Sequence, residues 1–225
     1  MNEQDESLMR YIVASLGENT SGPVLFDVNS TQFVRVNLVI LKGLLLEKKL
    51  NGLFISVDRP HQYMVHLMRM HQIGLDHLMF LDAIGRFSAD NKICNAGASF
   101  VDAPFHIDTL PAAINSMGTD KLNLNACGFA MIDNLAAMLP YNSFASVQSF
   151  LKMFVEVMTS RGNTIVPLVV DSERCKPLYE AAKSLAVKEI DCRAEAIAKA
   201  TSSMGSIRTV EIRKISGSRF AEGGR

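Results

Sequence analysis

Between Pro23 and Leu46 the chain changes its hydrophobic pattern once, and that change dictates a strand followed directly by a helix. Pro23-Val24-Leu25-Phe26-Asp27-Val28 is an apolar run short enough for a buried strand. Asn29-Ser30-Thr31-Gln32 follows, four residues whose short polar side chains suit the start of a helix. The apolar segment from Phe33 to Leu46 is too long for one strand, so it predicts the helix itself. Asn29 with Gln32 three residues on reads as a variant capping box, worth about 1 kcal/mol to that helix. The helix is apolar on more than one face, which requires burial on both sides, either under a sheet or against another subunit.

The rest of the chain repeats this alternation. Leu8, Ile12, Val13 and Leu16 fall at helical spacing and predict an amphipathic lead-in helix over residues 7–16, joined to the first strand by the polar linker between Gly17 and Gly22. Residues 53–58 and 77–82 read as further strands, each ending in an aspartate, with a helix from Arg59-Pro60 to about His71 between them. Residues 129–133 form a fourth strand, again closed by an aspartate, and 165–170 a fifth. Helices are expected at 111–117, 143–159 and 173–185, and a short edge strand at 187–190. Residues 85–108 read as a long loop, and 207–215 alternates apolar and charged residues as a half-exposed strand does. Apolar strands alternating with helices indicate a parallel sheet buried on both faces, an α/β fold.

Composition removes several classes of function. The 225 residues carry 23 basic and 23 acidic side chains, so neither a polyanion-binding surface nor an acidic one is implied by net charge. Cys94, Cys127, Cys175 and Cys192 are widely spaced, which excludes a C-x-x-C zinc site and reads as buried free thiols. His61, His66 and His71 recur every five residues and rotate around a helix, so they do not build a metal site. Met64, Met68, Met70 and Met79 read as core. The acidic start, Asn2-Glu3-Gln4-Asp5-Glu6, is the wrong charge for a signal peptide, and the 33–46 run carries Arg35, Asn37 and Lys42 and is too short for a bilayer. Cytoplasm, with no membrane partner, is the expectation.

Taken in order, these motifs resemble the RecA superfamily, and within it the KaiC-like branch, from Gly22 to Phe220. The turn after the first strand stands at the Walker A position. The strand closing in Asp58 resembles the one whose acidic end supplies the catalytic base, and Phe129-Ala130-Met131-Ile132-Asp133-Asn134-Leu135 is similar to the Walker B strand, whose aspartate orients magnesium. Arg208 to Phe220, with Lys214, looks like the closing segment that reaches a neighbouring subunit's nucleotide. The resemblance implies a central, mostly parallel RecA-like sheet over residues 22–220, preceded by a lead-in segment 1–21 and followed by a tail 221–225. It also implies ATP and magnesium as ligands.

The chain departs from that pattern at the phosphates. No G-x-x-x-x-G-K-[ST] occurs, the turn from Asp27 to Arg35 has no glycine, and Val34 stands near the lysine position. A phosphate loop needs glycines so that successive N–H groups converge without a Cβ in the way, and a lysine as a point charge. Asn29, Ser30, Thr31, Gln32, Arg35 and Lys214 remain as the residues of a degenerate nucleotide site, Asp133 as its magnesium ligand and Asp58 as its base. Against these stand structural readings: Asp133 as a hydrogen-bonding group, Asp58 as the N-cap of the next helix, and Arg208, Arg213, Lys214 and Arg219 as solvated charges. The leading expectation is a non-hydrolysing regulatory or scaffolding subunit acting through protein contacts, in a homo-oligomer or with a KaiC- or RecA-like partner. An ATP-binding protein with an atypical phosphate loop and a DNA-recombination accessory are the alternatives.

Overall fold

Strands without a polar alternation need cover on both faces, and the helices supply it. The computed structural model describes residues 2–83, 98–100, 127–160 and 162–193. Among the described residues seven strands form one sheet: β1 (Gly22–Asp27), β2 (Gly52–Ser56), β3 (Leu78–Asp82), β4 (Ala98–Phe100), β5 (Phe129–Ile132), β6 (Ile165–Val170) and β7 (Lys188–Asp191). Their order is β4-β3-β2-β5-β6-β1-β7, and every pairing is parallel. Alternate strand residues feed two cores. Val24, Phe26, Phe54 and Phe80 enter one cluster, and Leu25, Leu53, Ile55 and Leu81 enter the other.

The first cluster lies beneath α1 (Glu3–Leu16), α2 (Phe33–Lys42) and α3 (His61–Met70). α2 continues as a π-helical turn over Gly43–Glu47. Its second apolar face is covered by α1, whose Leu8, Met9, Ile12 and Leu16 are buried, so within this chain the helix already has cover on both sides. Gly43 permits the close approach, because a Cβ there would stand 3.0 Å from Val13 Cγ2. Arg35 Nε to Asp5 Oδ1 at 2.6 Å, and the Lys42–Glu6 pair, fix the rotation of α1 on α2. The second cluster lies beneath α4 (Phe144–Thr159) and α5 (Lys176–Leu185), with Phe150, Leu151, Phe154, Val155 and Met158 on the expected inner face of α4.

Several expectations change. Residues 98–100, inside the predicted long loop, form β4 on the β3 edge; three residues are too few to carry a periodic signal. Pro60 takes the N-cap position of α3 with an extended ψ of 141°, so the helix starts one residue later and Asp58 does not cap it. Met64, Met68 and Met79 are core, but Met70 is 63% exposed. Cys127 and Cys192 are buried, as expected, whereas Cys175 is half-buried. Cys94, the helix at 111–117, the strand at 207–215 with Lys214, and the tail lie outside the described residues. Among the described residues no helix is long and apolar enough to cross a membrane, and no His/Cys/Asp/Glu group could hold a metal ion.

Candidate functional site

A parallel sheet brings all its carboxyl ends to one edge. The chain leaves β1 toward β2, past β6, and leaves β6 toward β7, past β1, so these two connections run in opposite directions, and at the β2–β5 boundary the connections diverge, β2 leading to β3 and β5 to β6. Crevices at such a divergence, outside the carboxyl ends of the strands, are where open α/β sheets hold ligands.

In this chain that edge carries a row of aspartates that close or follow the strands. Most of them reach the turn after a neighbouring strand. Asp133, after β5, accepts the N–H groups of Val57 (2.8 Å) and Asp58 (3.3 Å) on Oδ1, and those of Asp58 (3.2 Å) and Arg59 (3.4 Å) on Oδ2. Asp82, closing β3, accepts both the His61 N–H (2.7 Å) and its Nδ1 hydrogen bond (2.6 Å) on Oδ2, with both side chains fully buried. Asp27, closing β1, takes the Ser172 N–H and hydroxyl at 3.1 and 2.8 Å. Asp171, after β6, receives the Ser30 N–H at 2.7 Å on Oδ2 and the N–H groups of Glu173 and Arg174 at 3.0 and 2.9 Å on Oδ1. Arg193 closes the row at β7, bidentate on Asp191 at 2.9 and 2.7 Å and 3.5 Å from Asp27.

Burial and hydrogen bonding pull these carboxyls in opposite directions. Burial pushes Asp133 up to about 7, with the nearby Asp58 charge adding to the rise and the three backbone donors opposing it. Burial works the same way on Asp171, but the N–H groups of Arg174, Ser30 and Glu173 outweigh it and hold that carboxyl below the usual carboxylate range.

The turn that follows β1 is short. Val28 N–H still pairs with Val170, and Ser30–Gln32 forms a single 3₁₀ turn before α2. Its donors are already used: Ser30 N–H by Asp171, Thr31 N–H by Asn29 Oδ1 at 3.0 Å, and Gln32 N–H by Asn29 O at 2.8 Å. Asn29 therefore caps as expected, but Gln32 does not complete the box; its Oε1 lies 3.4 Å from Arg35 NH1. Arg35 itself reaches Asp5 of α1, whose carboxyl is held low by Arg35 and the Asn2 N–H although burial opposes this.

In front of these turns lies a cavity of about 710 Å³. Ser30, Thr31, Arg35 and Asp58 line it, whereas Asn29 and Gln32 do not. Phe33, Val34, Leu38, Tyr63 and Leu67 supply an apolar wall; Arg59, Arg174 and Asn134 stand with them. Asp58 accepts from Asn134 Nδ2 at 3.3 Å, and the Arg59 guanidinium sits 5.3 Å over the Tyr63 ring. Asp133 stands in a smaller recess with Asn37 and Ser56, and Asn37 Nδ2 donates to its carbonyl oxygen at 2.6 Å.

No family model matches the chain, and no curated protein does. Solved structures do. An uncharacterized protein of Pyrococcus horikoshii, solved in complex with an unknown peptide, is 12% identical with a TM-score of 0.55, over 83% of this chain and 82% of that one. The flagellar accessory protein FlaH from Methanocaldococcus jannaschii is 11% identical with a TM-score of 0.50, over 85% and 78%. A KaiC-like protein of Pyrococcus horikoshii is 14% identical over 76% and 71%, with a TM-score of 0.46. The fold is α/β and RecA-like. At these identities the likeness is one of fold alone.

Asp171, Asp27, Arg193, Asn37, Arg59, Tyr63 and Arg174 are not among the site residues expected from the sequence. A signal for the two aspartates was present: Val170-Asp171 and Phe26-Asp27 repeat the apolar-run-then-aspartate pattern already seen at Asp82 and Asp133.

Proposed function

We propose that this chain is a RecA-fold subunit that does not hydrolyse ATP and works by protein contacts, as a regulatory or scaffolding component. One observation carries the reading: the Asp171 carboxylate lies 2.7 Å from the Ser30 N–H, in the turn between β1 and α2 where an anionic ligand would be held. An internal carboxylate at that position both consumes the donor and repels a triphosphate. With Thr31 and Gln32 N–H groups turned to Asn29, the turn has no convergent N–H cradle left to offer. Arg35, the one cation of that segment, is paired with Asp5. Asp133, at the magnesium position, has both oxygens against the 57–59 backbone.

Support for protein contacts comes from the solved structure of similar fold that holds a peptide. The test is nucleotide titration with and without magnesium, alongside an ATPase assay and light scattering of the purified chain. The expected results are no turnover above a buffer blank, a flat titration to millimolar ATP, and an assembled species alone or with a RecA-fold partner. Magnesium-dependent turnover abolished by Asp58→Asn would overturn the reading.

A further inference from the structure

If the cavity does not take a nucleoside triphosphate, its walls still select a ligand. We propose that it binds a small amphipathic anion, with one carboxylate or phosphate group on Arg59 and Arg174 and an apolar body against Leu38, Tyr63 and Leu67. A volume of about 710 Å³ lies within the roughly 300–1,000 Å³ of small-molecule sites, which pair apolar walls with a few placed polar groups.

The charge of the ligand follows from which side chains are still uncommitted. Asp171 is consumed by three backbone donors and Asp5 by Arg35 and the Asn2 N–H. Arg35 is consumed in turn by Asp5 and Gln32. Asp58, the cavity's remaining carboxylate, takes Asn134 Nδ2 at 3.3 Å and stands 3.9 Å from the half-exposed Arg59, so it offsets part of that charge but leaves most of the five Arg59 donors available. Arg174 is exposed and, among the described residues, has no ion-pair partner. The donors on offer are therefore guanidinium groups, which match a planar carboxylate or a phosphate. Choosing a single anionic group over a triphosphate rests on the proposed function, because it assumes that the Ser30–Gln32 amides stay closed. The aromatic face of Tyr63 beneath Arg59 gives the ligand's apolar part a surface continuous with its anion site.

The probe is anilinonaphthalene sulfonate, an apolar ring system with one anionic group, titrated by fluorescence into the full chain. Uncharged phenylnaphthylamine is the control. The expected result is saturable binding of the sulfonate that weakens about tenfold in Arg59→Gln and in Arg174→Gln, the loss of one charge-assisted hydrogen bond. Lys152→Gln, on the exposed face of α4, leaves it unchanged. Octanoate or octyl phosphate displaces the probe, octanol does not, and whichever anion acts at the lower concentration identifies the head group. Binding insensitive to both arginine variants, or equal uptake of the uncharged probe, overturns the proposal. Competition by ATP with magnesium would overturn the proposed function instead, while the arginine dependence still decides this one.

Discussion

The Asp171 carboxylate and the Ser30 N–H meet at 2.7 Å although 141 residues separate them. The contact ties the carboxyl end of β6 to the 3₁₀ turn that precedes α2, between neighbouring strands whose connections run in opposite directions. Asp171→Ala would leave the N–H groups of Ser30, Glu173 and Arg174 without their acceptor, a loss of about 2 kcal/mol in unfolding free energy. Urea denaturation checks it. The folded carboxyl is held below its ordinary range, so its contribution is present above the unfolded pKa and lost as pH falls through the folded one. The variant should therefore show a shallower acid limb than the wild type. Added sulfate should raise the melting temperature of Asp171→Ala more than that of the parent, because the vacated amides can take an anion.

Asp133 titrates in the opposite sense. Its folded carboxyl is pushed up to about 7 from 3.8, so the folded state holds a proton that the unfolded state has released across that interval. Stability from this group is present below the unfolded value, declines as pH rises toward 7 and is flat beyond. Asp133→Asn carries no such charge, and its Oδ1 can still accept from the 57–59 turn. The variant should gain relative to the wild type between pH 5 and pH 8, by on the order of 2 kcal/mol. Paired denaturation curves at the two pH values decide it: a constant difference between the proteins would show that Asp133 is ionised throughout.

The sheet was legible because its strands are apolar runs bounded by polar turns, a pattern that survives without any knowledge of partners. Val24 to Phe26, Leu53 to Ile55 and Ile165 to Val170 all sit where their hydrophobicity demands. The lead-in helix was equally plain, and once docked it explains why α2 is apolar on two faces. The site was less legible for a physical reason. A carboxylate's role depends on which N–H groups face it; the Ser30 donor lies 141 residues from Asp171 and the Val57 donor 76 from Asp133. An aspartate after a strand looks the same in sequence whether it holds magnesium or a turn. Arg35 was misleading in the same way, since its partner Asp5 belongs to a different element.

Gly52 is required by packing. A Cβ at this position would lie 2.1 Å from the ring of Phe129, its fully buried register partner on β5. Neither the strand nor the ring can give way without opening the core. Gly52→Ala should destabilise the fold by about 3 kcal/mol, at the upper end for overpacking. Restoring stability by Phe129→Leu in the Gly52→Ala background would identify the ring as the obstacle. Independent, additive losses in the double variant would refute it.

Asp82 and His61 form a fully buried contact in which one carboxylate oxygen serves the backbone N–H that begins α3 and the imidazole Nδ1. Pro60, at the N-cap position, offers no side-chain acceptor, so Asp82 does for α3 what a capping side chain does elsewhere. Two substitutions separate these functions. His61→Phe keeps the N–H contact and places an apolar ring beside Phe80, whose centroid lies 5.6 Å from the imidazole. Asp82→Leu removes the acceptor for both donors. The second should cost about 3 kcal/mol, as for breaking one side of a buried polar pair, and the first about 1 kcal/mol or less. Because α3 carries Tyr63 and Leu67 on the cavity wall, loosening its first turn should also weaken anilinonaphthalene sulfonate binding in Asp82→Leu and spare it in His61→Phe. Equal stability losses in the two variants would mean that the imidazole, and not the helix start, is what Asp82 holds.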